Sequence, residues 1–392
     1  MIIYEPQKIV KDDEVIIKAA FDSNNKRQEL WFSFNKRYEN YIITENADAF
    51  LVGLLLLAMK NGENIDVQAQ VSAKLYYQLN HYLINALNLA NNDWKKINIR
   101  VKSINDKDLC IKPSAGTGIS CGVDSFATIY DHLNEVDNFR IKYFTFFNAG
   151  SHGNFGGDKA RRVFKDRLKL VKSYADDINK QIIEIDTNLN EILMMNHQQT
   201  HTIRDVACVL NLQKLFRYYY YASAYRFNHF KLNKKAMADY DILSLSLLST
   251  ESTTFYSAVS QYTRVERTRN ITEYPYTYKY LNVCTAASKT GRVENCSVCN
   301  KCLRTQITLD LLGKLDLYQD VFDLKKYSNK KEKYVGQILS QKNSDIFSKE
   351  IYSLIKNKNY HVPLISYFYC VLYTIKKLLK YLFNTFKEKR SK

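Results

Sequence analysis

Apolar residues in the first 110 positions recur at three- and four-residue spacing in two stretches, "ADAFLVGLLLLAMKNG" (47–62) and "SAKLYYQLNHYLINALNLA" (72–90). That spacing predicts amphipathic helices, the first stopping at Asn61-Gly62. Around them "EVIIKAAF", "ELWFSF" and "KINIRVK" have the alternating or β-branched character of short strands, so residues 1–110 are expected to form a small α/β region. From 111 to 315 the pattern changes to strand, Gly-containing turn, helix and strand. This order predicts a parallel sheet with crossover helices. The expected strands are "TGIS", "IKYFTFF", "KQIIEID" and "YDILSLSLL", and the expected helices "DSFATIYDHLNEV", "DKARRVFKDRLKLVKSYADDIN" and "LNLQKLFRYYYYASAYRF". The tyrosine run in the last of these is longer than one helical turn, points all ways round, and is expected to be buried helix rather than a base-stacking platform.

Residues 316–392 predict a basic helical tail. Val371, Leu372, Ile375, Leu378, Leu379, Leu382, Phe383 and Phe386 share one face, with Lys376, Lys377, Lys380 and Lys387 on another. The apolar run is shorter than the roughly 20 residues that span a bilayer. Two uses of this face remain: packing on the body of the protein, or lying in a membrane interface.

Composition narrows the class. At 392 residues and 46% hydrophobic, the chain can bury one large core or two moderate ones. Eight cysteines are too sparse for a disulfide scaffold, and the first residues lack the pattern of a signal peptide, so a cytoplasmic location is expected. The net charge of +17 favours polyanions. Because Lys is spread along the chain, nucleic acid is not the favoured partner.

The chemistry concentrates in two motifs. "SCGVDS" (Ser120–Ser125) follows the small-residue run "SAGTGI" and precedes a helix. A strand ending in such a turn and feeding a helix aims backbone N–H groups and the positive end of the helix dipole at one point, which suits phosphate. Gly122 lets the main chain approach the anion, Ser120 and Ser125 offer hydroxyls, and Asp124 would act through a divalent cation such as Mg²⁺. The second motif is Cys284, Cys296, Cys299 and Cys302, spaced C-x11-C-x2-C-x2-C. Four thiolates suit tetrahedral zinc or an iron–sulfur cluster, and the helix that follows at once favours a structural Zn²⁺. Cys110, Cys208 and Cys370 are isolated and expected in the core.

The loop resembles that of the PP-loop ATP pyrophosphatases, whose fingerprint is Ser-Gly-Gly-x-Asp-Ser after the first strand of an adenine-nucleotide α-hydrolase fold. Here Cys121 replaces the first Gly, and a position needing positive φ disfavours it. Loop and cysteine cluster in this order resemble the 7-cyano-7-deazaguanine synthase family over residues 111–315. The resemblance implies ATP held by Ser120, Cys121, Gly122, Val123, Asp124 and Ser125, zinc held by the four cysteines, and a basic role for Arg304. It further implies an AMP-forming reaction in which a carboxylate or amide-like acceptor, small or macromolecular, is adenylylated, pyrophosphate leaves and nitrogen is added.

Charge building on the phosphates calls for basic groups. Candidates are Arg264, Arg267 and Arg269 in "QYTRVERTRN", and His197, His201 and Arg204 in "NHQQTHTIRD". Arg264 could instead pair with Glu266 on the surface, and His201 could be structural. Asn148, Ser151 and His152, just past the second strand of this region, are expected beside the adenine, and Glu251 at the end of a strand facing substrate. Two other readings stay open: a nucleotide-binding regulatory or scaffold protein without turnover, and a tRNA-modifying enzyme of the same loop type.

Overall fold

The structure is a computed structural model that describes residues 1–153, 155–284 and 294–390, with Phe383 the one side chain described beyond residue 380. Leu382, Phe386 and Lys387 of the expected tail face have side chains outside the described residues. The chain forms two compact units, Met1–Ser120 with Asp124–Gln261, and Cys121–Val123 with Tyr262–Lys392.

The first unit is built on one mixed, mostly parallel sheet of 11 strands. Its N-terminal part holds β1 (Ile2–Ile3), β2 (Gln7–Val10), β3 (Glu14–Ser23), β4 (Lys26–Asn35), β5 (Ile65–Ser72) and β6 (Ile99–Asn105). Period-2 alternation puts Val15, Ile17, Ala19 and Phe21 of β3 on the buried face. Asn24 and Asn25, at φ +49° and +60°, make the turn to β4, the left-handed pair that a two-residue hairpin needs. The later part holds β7 (Ser114–Gly118), β8 (Ile141–Asn148), β9 (Gln181–Thr187), β10 (Phe216–Ala222) and β11 (Thr254–Ala258).

These five strands are all parallel and lie in the order β11-β10-β7-β8-β9. Numbered within the group and read from β9, the order is 3-2-1-4-5, that of a doubly wound α/β sheet, and the direction of winding reverses between β7 and β10. β4 pairs antiparallel with β9 and so joins both parts edge to edge. The expected boundary near residue 110 therefore falls inside one sheet, and that near 315 falls inside the second unit.

Helix α1 (Asp48–Asn61) is buried nearly all round rather than amphipathic, because it is enclosed in this core. Residues 73–90 continue as α2, helical throughout with a π segment at Leu79–Leu83. Crossovers of the parallel half are α3 (Val123–Asp131), α4 (Gly157–Asp177), α5 (His197–Leu210) and α6 (Asp241–Leu247).

Two expected elements are exchanged. "FRYYYYA", expected as helix, is strand β10: Tyr218 and Tyr220 lie against Phe139 and His132 on one face, while Tyr219 and Tyr221 meet Thr145 and His201 on the other. Rings at four successive positions, Tyr218–Tyr221, suit a central strand covered on both faces. "DILSLSL", expected as strand, is helix α6. Its Leu-Ser alternation imitates a period of two, yet the buried positions are Asp241, Ser244, Leu245 and Leu248, the i, i+3, i+4, i+7 set of a helix. The fifth parallel strand is β11, which no expected element covered.

In the second unit, α7 (Arg264–Ile271), α8 (Asn300–Leu311), α9 (Leu324–Gln341) and α10 (Ile346–Asn357) enclose a smaller core of Val265, Leu303, Ile307, Val335, Ile338 and Ile351. A long helix, α11 (Leu364–Arg390), packs on α9. Among the described residues no helix is long and apolar enough to cross a membrane.

Candidate functional site

Strand β7 is built from small residues for a reason that lies within the sheet. A Cβ at Gly116 would sit 2.3 Å from the Phe216 ring of β10, so the neighbouring strand's aromatics fix this position as glycine. Beyond β7 the chain turns at Ser120–Gly122 and enters α3 at Val123. Ser125 is buried, and its hydroxyl ties the turn together: it accepts from Ser120 N–H at 3.2 Å and donates to the Gly118 carbonyl at 3.2 Å. It therefore staples the loop, whereas the sequence suggested a hydroxyl turned toward the anion. Cys121 has φ +56° and no exposed surface, and burial pushes its thiol well above the ordinary range. Its carbonyl accepts from Asn282 N–H at 2.7 Å. Asp124 lies in the first turn of α3.

Pairing along the sheet brings further residues to this carboxyl edge. Gly118 lies opposite Thr145, so Asn148 at the end of β8 continues past the level at which β7 gives way to the loop. Asn148 is 2% exposed; its Nδ2 donates to Asp186 Oδ1 at 2.7 Å, and its Oδ1 has no hydrogen-bond partner among the described residues. On the other side of the switch point, Thr117 lies opposite Tyr220, and β10 ends at Ala222. The next residue, Ser223, begins a chain of hydroxyls, Ser223 to Ser257 at 2.5 Å and Ser257 to Ser260 at 2.8 Å. A cleft beside it is lined by Tyr225, Phe227, Phe230, Asp239, Asp241 and Ser260.

Under the same edge, on the face covered by α5, His201 Nδ1 lies 2.6 Å from Tyr221 Oη, and Asp205 stands one helical turn further on. Burial raises the Asp205 carboxyl to about 7, opposed by the charge of Arg204 and a hydrogen bond from Tyr221. Burial and Arg204 lower His201 to about 4. Sequence reading missed Asp205 and Tyr221, because Tyr221 was assigned to a helix and its register with α5 follows from the strand.

Arg204 has no exposed surface and is committed to Thr200 Oγ1, Asn190 Oδ1 and the Met195 carbonyl, so it is a structural cation. Arg267 is likewise fully buried, with Nε donating to the Tyr262 carbonyl. Arg264 opens α7; its backbone N–H donates to Glu350 and its guanidinium lies 5.6 Å from the Phe347 ring. Glu266 closes a capping box with Thr263. His152 is packed between Phe146 and Phe164, and burial lowers it to about 3. Glu251 precedes β11 and so stands at its amino end, opposite to the expectation, where it accepts from Lys74 N–H. Cys208 is buried, whereas Cys110 and Cys370 are partly exposed.

In the second unit the four cysteine Sγ atoms converge within 4.8 Å of one another, a group able to hold a metal ion. Cys299 and Cys302 Sγ are 3.5 Å apart and Cys296 and Cys302 Sγ 4.0 Å, bracketing the about 3.8 Å edge of a tetrahedron with bonds near 2.3 Å. Cys299 caps α8 and Cys302 lies in its first turn, where the neighbouring Cys299 thiol and burial push the Cys302 thiol up. Cys299 N–H donates to Cys296 Sγ at 3.3 Å. Asn295 braces the approach: Nδ2 donates to the carbonyls of Leu281 and Val321, and Oδ1 accepts from Val283 N–H. Residues 285–293, between the first two cysteines, lie outside the described residues.

Comparisons with protein-family models, with curated proteins and with solved structures found no match to this chain.

Proposed function

We propose that this protein is an ATP-dependent, AMP-forming enzyme of the PP-loop type, which adenylylates a carboxylate or amide-like acceptor, releases pyrophosphate and adds nitrogen. One observation carries the reading: the Ser-x-Gly-x-Asp-Ser turn closes the first strand of a 3-2-1-4-5 parallel sheet, at the switch point between β7 and β10. In such sheets ligands bind outside the carboxyl ends of the strands, and a helix N-terminus there attracts phosphate.

The Gly122 turn and the start of α3 hold the triphosphate, and Asn148 and the Ser223–Ser257–Ser260 hydroxyls line the two sides of the crevice. An acceptor oxygen attacks the α-phosphorus, and the bond to pyrophosphate breaks. A nitrogen nucleophile then displaces AMP from the activated carbonyl and loses a proton. Magnesium bound with the nucleotide would offset the charge of the leaving pyrophosphate, with Asp124 the residue of the loop suited to it. Zinc on Cys284, Cys296, Cys299 and Cys302 would staple the second unit, since four thiolates fill its coordination.

The test is ATP binding by calorimetry together with pyrophosphate and AMP release in the presence of Mg²⁺ and candidate acceptors. Asp124→Ala is expected to lower ATP binding or turnover at least about tenfold, in line with loss of one charge-stabilising group. Failure of the folded protein to bind ATP would sink the proposal. A second reading, binding without turnover, draws on Cys121 at positive φ where the resembled family has glycine. It predicts ATP binding with no AMP formed for any acceptor.

A further inference from the structure

Helix α11 is turned the wrong way round for a helix that caps a core. Toward α9 and the turn after it α11 presents small and polar groups: Ser366, with no exposed surface, donates to Glu332 at 2.7 Å, and Lys377 Nζ reaches Ser344 Oγ at 3.2 Å. The two backbones touch at Gly336, where a Cβ would meet Tyr369 Cβ at 2.5 Å and the Ser366 carbonyl at 2.6 Å. Its large apolar residues point away. Phe368, Val371, Leu372, Ile375, Leu378 and Leu379 are between 46% and 61% exposed. At 100° per residue these six fall on one arc, centred opposite Ser366 and Tyr373. Exposed apolar stripes of this size on a helix mark an interaction surface.

The charge of the helix indicates what covers the stripe. Lys376 is exposed at one border of it, Lys380 is exposed farther round the helix on the same side, and the sequence from Leu364 to Lys387 has no acidic residue. A second copy laid face to face would bring like charges together, while an anionic layer would neutralise them. Over its described residues the helix is not long and apolar enough to cross a bilayer. A wide apolar arc bordered by lysines with low net hydrophobicity is the pattern of a helix lying in the plane of a lipid interface. We propose that α11 binds the surface of a bilayer with anionic headgroups, its apolar stripe among the upper acyl chains and its lysines in the headgroup layer. The inference is independent of the enzymatic reading.

The test is co-flotation of the full chain with vesicles of phosphatidylcholine alone or mixed with phosphatidylserine. Binding is expected to the mixed vesicles, weaker to the neutral ones, and to fall as salt rises. Lys376→Gln with Lys380→Gln should weaken it about fivefold per lysine. Leu372→Asp with Ile375→Asp should abolish flotation without moving the urea midpoint, because both side chains face outward. The proposal is overturned if the wild-type chain stays with the unbound protein, or if the Asp pair floats as well as wild type. It is also overturned if the wild type is a dimer that ignores vesicles and the Asp pair makes it monomeric.

Discussion

Cys121 carries the sharpest conflict at the scale of one residue. A side chain in the left-handed region costs about 1–2 kcal/mol, and complete burial of a small thiol offsets part of that. Cys121→Gly is therefore expected to leave stability within about 1 kcal/mol of wild type, whereas Cys121→Val, β-branched at positive φ, should cost about 2 kcal/mol or more. Urea unfolding distinguishes them. The thiol should also resist alkylation in the native state, since burial holds it protonated. Asp205 and His201 supply a second test at this scale. Asp205 is raised from near 3.8 to about 7, so its stabilising contribution is present at acid pH and is lost as pH rises from about 4 to 7. His201 is lowered from 6.5 to about 4, so its contribution is present above 6.5 and is lost as pH falls through that range. The two oppose each other across pH 4 to 6.5. Asp205→Asn removes one side, so the urea midpoint of that variant should fall more steeply than wild type between pH 6.5 and 4.5. Equal slopes would show that the pair does not titrate as its surroundings dictate.

The elements show which local signals carried through and which were overridden. Alternation in β3 and β4, and the three- and four-residue spacing of α4, were legible because each buries one face, so that pattern and environment agree. β10 and α6 were misread for opposite reasons. A strand covered on both faces has no alternation to detect, and a seven-residue helix is too short for its period to outweigh a Leu-Ser repeat. The loop was legible as a strand-to-helix turn, but the hydroxyl row at the ends of β10 and β11 was not, because it forms only when those strands pair. The cysteine cluster needed spacing alone. If zinc holds this segment, the protein should contain about one ion per chain, and Cys299→Ser should lower both the metal content and the urea midpoint. Chelation of the wild type should reproduce the loss, and a fully stable, metal-free Cys299→Ser protein would remove the structural role.

Much of the first unit shares one core, and this sets what can be taken away from it. Buried apolar residues run without a break from Ile3 in β1 to Phe255 in β11, and Phe32 of β4 meets Phe50 of α1 edge to face at 5.6 Å beneath them. The join between β4 and β9 uses only Phe32, Ser33 and Phe34 opposite Thr187, Asp186 and Ile185. Its strength therefore comes from the helices and side chains buried across it rather than from strand pairing. Asp186 on the seam also accepts from Asn148, which links the N-terminal region to the edge where the nucleotide is proposed to sit. It follows that residues 1–110 are not a detachable accessory. A chain beginning at residue 111 would open β9 as an exposed strand edge and uncover the face that α1 closes, an arrangement prone to aggregation. In the full chain Phe32→Ala should cost about 3–5 kcal/mol, the usual range for emptying a buried aromatic site. Hydrogen exchange is the measurement that checks this. Amides of β3 and β4 should lose protection in the same urea step as those of β7, β8 and β10, and Phe32→Ala should move that common step as one. Loss of β3 and β4 alone, with β7 to β10 still protected and ATP still bound, would mean that the parallel half folds by itself.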